Sequence, residues 1–99
     1  MKLILVIVPH KGAADVIQAL VGAHFYVTRF ASTGGFLRRG NATLLIGTDD
    51  EKVDEVLAIV TRVAGSRAGR QGEGGTAFVL NVRQLVRVDG DAGQTSSVL

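Results

Sequence analysis

The apolar stretch Leu3-Ile4-Leu5-Val6-Ile7-Val8, residues 3–8, opens an alternation of strand and helix patterns. A short continuous run rich in Ile and Val is typical of a strand buried on both faces. Pro9 and Gly12 mark its end. Beyond them, apolar residues recur with the period of an amphipathic helix, at Ala13, Val16, Ile17, Leu20 and Val21. Gly22 is placed to end this helix.

Three further elements follow with comparable signals. Residues 25–31 are aromatic and β-branched and predict a second strand, and residues 43–47 predict a third. A second helix is predicted from an apolar stripe at Val53, Val56, Leu57, Val60 and Ala64. A fourth strand is predicted at about residues 76–83, and residues 84–88 are compatible with a short extra strand or a turn.

The start of the second helix carries several polar residues suited to capping. Thr48 and Glu51 have the spacing of a capping box, and Asp49 and Asp50 are alternative caps. The carboxylates lie at the positive end of the helix dipole. We therefore interpret this acidic cluster as a helix start rather than as a site.

The element order β-α-β-β-α-β predicts an α+β, ferredoxin-like fold. In that fold a four-stranded antiparallel sheet carries both helices on one face. A chain of 99 residues has room for one domain, which we assign to residues 1–88. The polar residues 89–99 are predicted to form a flexible C-terminal tail.

The second face of the predicted sheet is apolar too. In the first strand Leu3, Leu5 and Ile7 alternate with residues as apolar as themselves. A sheet with one face in water would alternate apolar and polar residues. No remaining segment is long enough to cover this face, and 46% of the residues are hydrophobic. The sequence therefore predicts self-association through the uncovered face.

Composition excludes several classes of protein. Eleven basic and nine acidic residues give a net charge of +2, too balanced for the broad cationic face of a general nucleic-acid binder. An RNA-recognition motif shares this element order, but its central strands carry aromatic residues, and here they carry none. The absence of cysteine excludes disulfides and thiolate chemistry.

The sequence predicts a cytoplasmic protein with no membrane segment. The first apolar run, residues 3–8, is shorter than the hydrophobic region of a signal peptide and is followed by Pro, His and Lys. No apolar run approaches the length of a membrane span, about 18 residues.

We also predict that the chain is not an enzyme and holds no cofactor. No spacing suggests a nucleophile with a positioned base. The two histidines, His10 and His24, follow the first strand and the first helix, where surface or loop roles are usual. Two histidines without carboxylate help would make a weak metal site.

The glycine-rich loop at residues 33–41 is the segment most suggestive of binding. Gly35 and Gly40 have the spacing of a phosphate-binding loop, but Asn41 stands where that motif requires Lys, and the loop joins two strands. Consecutive glycines can still turn backbone N–H groups toward an anion. The adjacent Arg38 and Arg39 add donors, and Phe36 offers a flat face for a base. An ordinary hairpin connection with solvated arginines is the alternative.

At this loop the sequence resembles a known family. The stretch ASTGGFLRRGNATLLIG at residues 31–47 resembles the PII-like cyclic di-AMP receptor family, as do the opening MKLILVIV and the stretch VDEVL at residues 53–57. The resemblance implies a PII-like homotrimer that binds cyclic di-AMP or another adenine nucleotide between subunits. Binding would switch the loops that an unidentified downstream protein reads.

The resemblance also implies which residues contact the ligand. These are Thr28, Gly35, Phe36, Leu37, Asn41 and Gly47, with Tyr26, Arg38 and His24 as further candidates. Thr28 and Asn41 would hydrogen-bond a base edge or a phosphate, and Gly47 would let the backbone approach closely.

This sequence departs from the family pattern in two places. His24 and Tyr26 stand where the family often has Asn and Arg, and the loop at residues 65–75 is shorter than in typical members. Tyr26 can stack on a base, and Arg29 would supply charge if the strand register allowed it. Two alternatives remain: a PII-like trimeric interaction protein with another ligand or none, and a divalent-metal-binding trimer.

Overall fold

The computed structural model describes residues 1–30, 40–66, 74–88 and 95–97. Two helices and six strands lie in these ranges, together with a 3-10 turn at Asp50–Lys52. The helices are α1 (His10–Gly22) and α2 (Val53–Gly65). The strands are β1 (Lys2–Pro9), β2 (Val27–Phe30), β3 (Asn41–Thr48), β4 (Thr76–Asn81), β5 (Val86–Val88) and β6 (Thr95–Ser97).

Four of the strands form one antiparallel sheet in the order β2-β3-β1-β4. The central strand β1 pairs with β3 and β4, so that Leu5 lies between Leu45 and Phe78. The α+β fold predicted from the sequence is confirmed. The two central strands, β1 and β3, carry no aromatic residue, as the argument against an RNA-recognition motif required.

One face of the sheet packs against the two helices and forms the core. Ile4, Val6 and Val8 of β1 point to this face and are at most 1% exposed. They share it with buried residues of β3, α1 and α2, chiefly Leu44, Ile46, Val16, Leu20 and Val56. Most of both predicted stripes therefore faces the sheet. Val21, the last residue of the predicted α1 stripe, is instead 55% exposed.

The opposite face of the sheet, here called the open face, is apolar and uncovered within the chain. Leu3, Leu5 and Ile7 of β1 are only half-buried there. Their β4 neighbours Phe78 and Leu80 are 49% and 46% exposed. The two-faced apolar pattern of the first strand thus corresponds to two apolar sheet faces, one of which has no partner in the described part of this chain.

Both helix starts differ from the prediction. Helix α1 begins at His10, directly after Pro9, and the His10 N–H donates to the Gly40 carbonyl oxygen at 2.8 Å. At α2 the predicted capping box does not form, because Thr48 is the buried last residue of β3. The 3-10 turn precedes α2 instead, and no side-chain cap bond is present at its start.

The chain beyond β4 also differs from the prediction. Strand β4 ends at Asn81, and the short extra strand forms as β5, which pairs with β6 in a separate two-stranded sheet. Residues 95–97 of the predicted tail therefore lie in a strand. The domain boundary at residue 88 stays a prediction.

Two close approaches of the chain occur at the ends of the main sheet. The Met1 amino group lies 3.0 Å from a carboxylate oxygen of Asp50. Hydrogen bonding to this amino group holds the pKa of the Asp50 carboxyl below its ordinary value. At the other end, Gly75 precedes β4 with φ +130° and passes so close to the Ile7 carbonyl oxygen that an added Cβ would clash with it.

Candidate functional site

Three of the residues implicated by sequence lie on the open face along the β2–β3 edge. Thr28 is opposite Leu45 in the β2–β3 register, and Asn41 and Gly47 alternate with the buried residues of β3. All three therefore present to the same side of the sheet. The sheet places them beside the uncovered apolar side chains of β1.

These residues are spread along the edge. Asn41 and Gly47 are six positions apart on β3, which corresponds to about 20 Å at the rise of a strand. Thr28 lies between them, nearer to Gly47. A ligand that contacts all three must extend along the β2–β3 edge.

Gly47 leaves an open space on this surface. A Cβ built at this position meets no atom within 4 Å. Packing inside the chain therefore does not require glycine at position 47, whereas close approach of a ligand or a neighbouring chain would.

His24 and Tyr26 lie in the connection between α1 and β2. They line a shallow, open concavity of about 370 Å³ together with Val21, Phe25 and Val27. Tyr26 is 91% exposed and directly precedes β2. It is two positions before Thr28 and therefore lies on the same, open side of the sheet. The Tyr26 ring is thus available for stacking beside Gly47 and Thr28.

His24 has a second, structural role that the sequence did not reveal. Its φ of +71° is left-handed, and its N–H donates to the Val21 carbonyl while the Phe25 N–H donates to that of Leu20. These two bonds make a Schellman motif that ends α1. Gly22, predicted to stop the helix, is its last residue instead.

Arg29 lies on the other side of the sheet from Thr28. It is opposite Leu44, on the helix-covered face, and its guanidinium lies 2.9 Å from His10 Nδ1. The register therefore turns Arg29 away from the open face. His10 is the contact that sequence reasoning missed, because nothing in its spacing shows that β2 passes the start of α1.

The remaining candidates lie outside the described residues. These are Gly35, Phe36, Leu37 and Arg38, all between Phe30 and Gly40. The described flanks show where this segment leaves and rejoins the sheet, at the end of β2 and the start of β3.

Two observations bear on the alternatives. No group of three His, Asp or Glu side chains suited to a metal ion occurs within the described ranges. His10 and His24 are separated by the length of α1, about 20 Å, so one chain cannot bring both to one ion.

Neither α1 nor α2 has the length and hydropathy needed to cross a membrane.

Comparison with known families decides the assignment. The family model described as cyclic-di-AMP receptor matches residues 1–71. The chain belongs to this receptor family. A solved structure from Pediococcus pentosaceus ATCC 25745, described as a functionally unknown protein, is similar in fold. It is 30% identical, with a TM-score of 0.69, and the match covers 88% of this chain and 96% of that one.

Proposed function

We propose that this protein is a cytoplasmic, non-enzymatic signalling protein that binds cyclic di-AMP in a cleft between subunits of a PII-like homotrimer. Binding at the β2–β3 edge orders the loops that a downstream protein reads. The observation that carries the proposal is the placement of Thr28, Asn41 and Gly47 on the open face, beside apolar side chains with no cover in the described chain.

The open face supports the trimer. Phe78 and Leu80 on β4 and Phe30 on β2 are between 43% and 49% exposed. Removing apolar surface of this kind from water stabilises an assembly by about 25 cal/mol per Å². Packing the open faces of three copies together would bury these residues and bring the β2–β3 edge of one copy near its neighbour.

The spread of the contact residues supports a dinucleotide over a mononucleotide. Tyr26, Thr28 and Gly47 cluster toward one end of the edge, and Asn41 lies at the other, at the end of the 31–39 segment. A ligand with two bases and two phosphates offers a group to each end. Gly35, Phe36, Leu37 and Arg38 would complete the site from that segment, and His24 would flank it.

Isothermal titration calorimetry with cyclic di-AMP, ATP and AMP tests the proposal. We expect binding of cyclic di-AMP, with ATP and AMP much weaker. A trimer that gives no heat with any of the three would instead favour an interaction protein with another ligand or none.

Replacement of Asn41 tests the site itself. We expect Asn41→Ala to weaken cyclic di-AMP binding about tenfold, because one polar contact to the ligand is lost. The matched control is Asn81→Ala, at the only other asparagine of the chain, which accepts a bond from Lys2 away from the site. Equal affinity of the Asn41 variant and wild type would remove Asn41 from the site.

A further inference from the structure

His10 forms hydrogen bonds with two residues that adjoin proposed ligand contacts, Arg29 and Gly40. Its Nδ1 lies 2.9 Å from the Arg29 guanidinium, and its backbone N–H donates to the Gly40 carbonyl at 2.8 Å. Arg29 follows Thr28 directly, and Gly40 directly precedes Asn41. One residue at the start of α1 is therefore bonded to the exposed Arg29 side chain and to the Gly40 backbone, each next to a proposed contact residue.

The hydrogen bond between the Arg29 guanidinium and His10 Nδ1 requires a neutral imidazole. A guanidinium is always protonated and can only donate, so His10 Nδ1 must accept through its lone pair and the ring proton resides on Nε2. Protonation removes this acceptor and places two positive charges side by side. Histidine is the side chain that takes up a proton between about pH 5 and 8.

The described elements around this contact carry charges of both signs. Helix α1 carries Lys11 and Asp15, and the last turn of α2 carries Arg62. Strand β3 carries no charged residue.

We propose, on the basis of the proposed function, that His10 is a pH-sensitive positioning residue for the nucleotide site. Neutral His10 fixes Arg29 and with it the end of β2 that carries Thr28. Protonated His10 releases Arg29, so the end of β2 is held less firmly and cyclic di-AMP binds more weakly.

Affinity measured as a function of pH tests the coupling. For the wild type we expect the affinity for cyclic di-AMP to fall about fivefold between pH 8 and pH 5.5, the scale of one lost hydrogen bond. In His10→Asn an amide oxygen replaces Nδ1 as acceptor and does not titrate, so the fall should disappear. In His10→Leu the acceptor is absent, and the affinity should be low at every pH.

His24→Asn is the matched control, because His24 is the only other histidine. Whatever its affinity at pH 8, this variant should still bind cyclic di-AMP more weakly at pH 5.5 than at pH 8. Loss of the fall in His24→Asn, or its persistence in His10→Asn, would overturn the proposal.

A measurement without nucleotide separates this proposal from the proposed function. In NMR spectra of the free protein, the amide signals of Thr28 and Asn41 should shift with the protonation of His10 and should stay fixed in His10→Asn. If they follow His10 but no nucleotide binds at any pH, the positioning role stands and the proposed function fails. If they do not follow His10 while cyclic di-AMP binds, the positioning role fails alone.

Discussion

At Gly47 the side-chain position is empty and the space above it is open to solvent. Nothing lies within 4 Å of a Cβ built there. The strand geometry accepts any residue, since its φ is not in the left-handed region. Gly47 is therefore suited to a test that separates ligand contact from folding.

We expect Gly47→Val to leave the fold intact and to lower the affinity for cyclic di-AMP at least tenfold. The added methyl groups would occupy the space that the ligand approaches, while Val suits a strand. The control is Gly65→Val at the end of α2, where a Cβ also meets nothing within 4 Å. Calorimetry of both variants, with circular dichroism as a check of folding, measures the difference. Unchanged binding by Gly47→Val would place the ligand elsewhere.

His24 combines a backbone role with an exposed side chain. Its left-handed conformation is costly for a β-branched residue and well tolerated by Asn. The Asn that the family often has at this position is thus compatible with the same Schellman motif, and His preserves the turn.

We expect His24→Val to destabilise the fold by about 1–2 kcal/mol, the cost of a branched side chain in left-handed backbone. His24→Asn should stay within about 0.5 kcal/mol of wild type. Urea denaturation of the two variants measures the difference. Equal stability of both would show that the turn does not keep its left-handed residue in solution.

At the scale of elements, the entry to β4 is fixed by two adjacent glycines. A Cβ on Gly74 would lie 3.2 Å from the Ala64 carbonyl oxygen near the end of α2. A Cβ on Gly75 would lie still closer to the Ile7 carbonyl oxygen of β1. A side chain would therefore fit tightly at position 74 and would clash with the β1 backbone at position 75.

We expect Gly75→Ala to destabilise the protein by about 1–3 kcal/mol. Two costs combine, since φ is +130° and the new methyl group would clash with the Ile7 backbone. The control Gly65→Ala, at an open helix position, should change stability by less than about 1 kcal/mol. Thermal unfolding monitored by circular dichroism compares them. A Gly75→Ala protein as stable as wild type would contradict the close packing at this entry.

The sequence predicted the elements whose signal is periodic and local. The continuous apolar run of residues 3–8 and the stripe from Val53 to Ala64 identified β1 and α2 correctly. The helix starts were not predictable, because they depend on contacts between distant segments. His10 begins α1 where Gly40 supplies a carbonyl, and pairing with β1 extends β3 to Thr48, so the capping box cannot form.

The candidate site was predictable in part. Resemblance suggested Thr28, Asn41 and Gly47, and the β2–β3 register brings them to one face. The positions of Arg29 and His10 were not predictable, because the side to which Arg29 turns depends on register and on the path of β2 past α1.

At the scale of the whole molecule, the sheet has two apolar faces, and the described part of the chain supplies two helices to cover them. The helices cover the β1 and β3 part of one face, where Ile4, Val6 and Leu44 are at 0% exposure. The open face remains, and its apolar residues reach from β2 across to β4. We interpret this excess of apolar surface as the interface of the proposed trimer.

We expect Phe78→Thr to convert the trimer to monomers without unfolding the chain. Phe78 is 49% exposed at the open face, and burying such a side chain contributes about 1–3 kcal/mol per copy. The adjacent Val79 is 43% exposed on the opposite face of β4, so Val79→Thr is the matched control. Sedimentation equilibrium measures the mass relative to the monomer mass of 10.4 kDa. A monomeric wild type, or a trimeric Phe78 variant, would exclude the open face as the interface.

The central place of β1 also affects how the chain folds during synthesis. Strand β1 is synthesised before both of its partners, which are Asn41–Thr48 and Thr76–Asn81. Its second edge therefore stays unpaired until residue 81 has left the ribosome. Contacts so distant in sequence slow folding and prolong the exposure of apolar strands. A nascent chain stalled before β4 is therefore expected to be a chaperone substrate, and one extended past Asn81 is expected to be released.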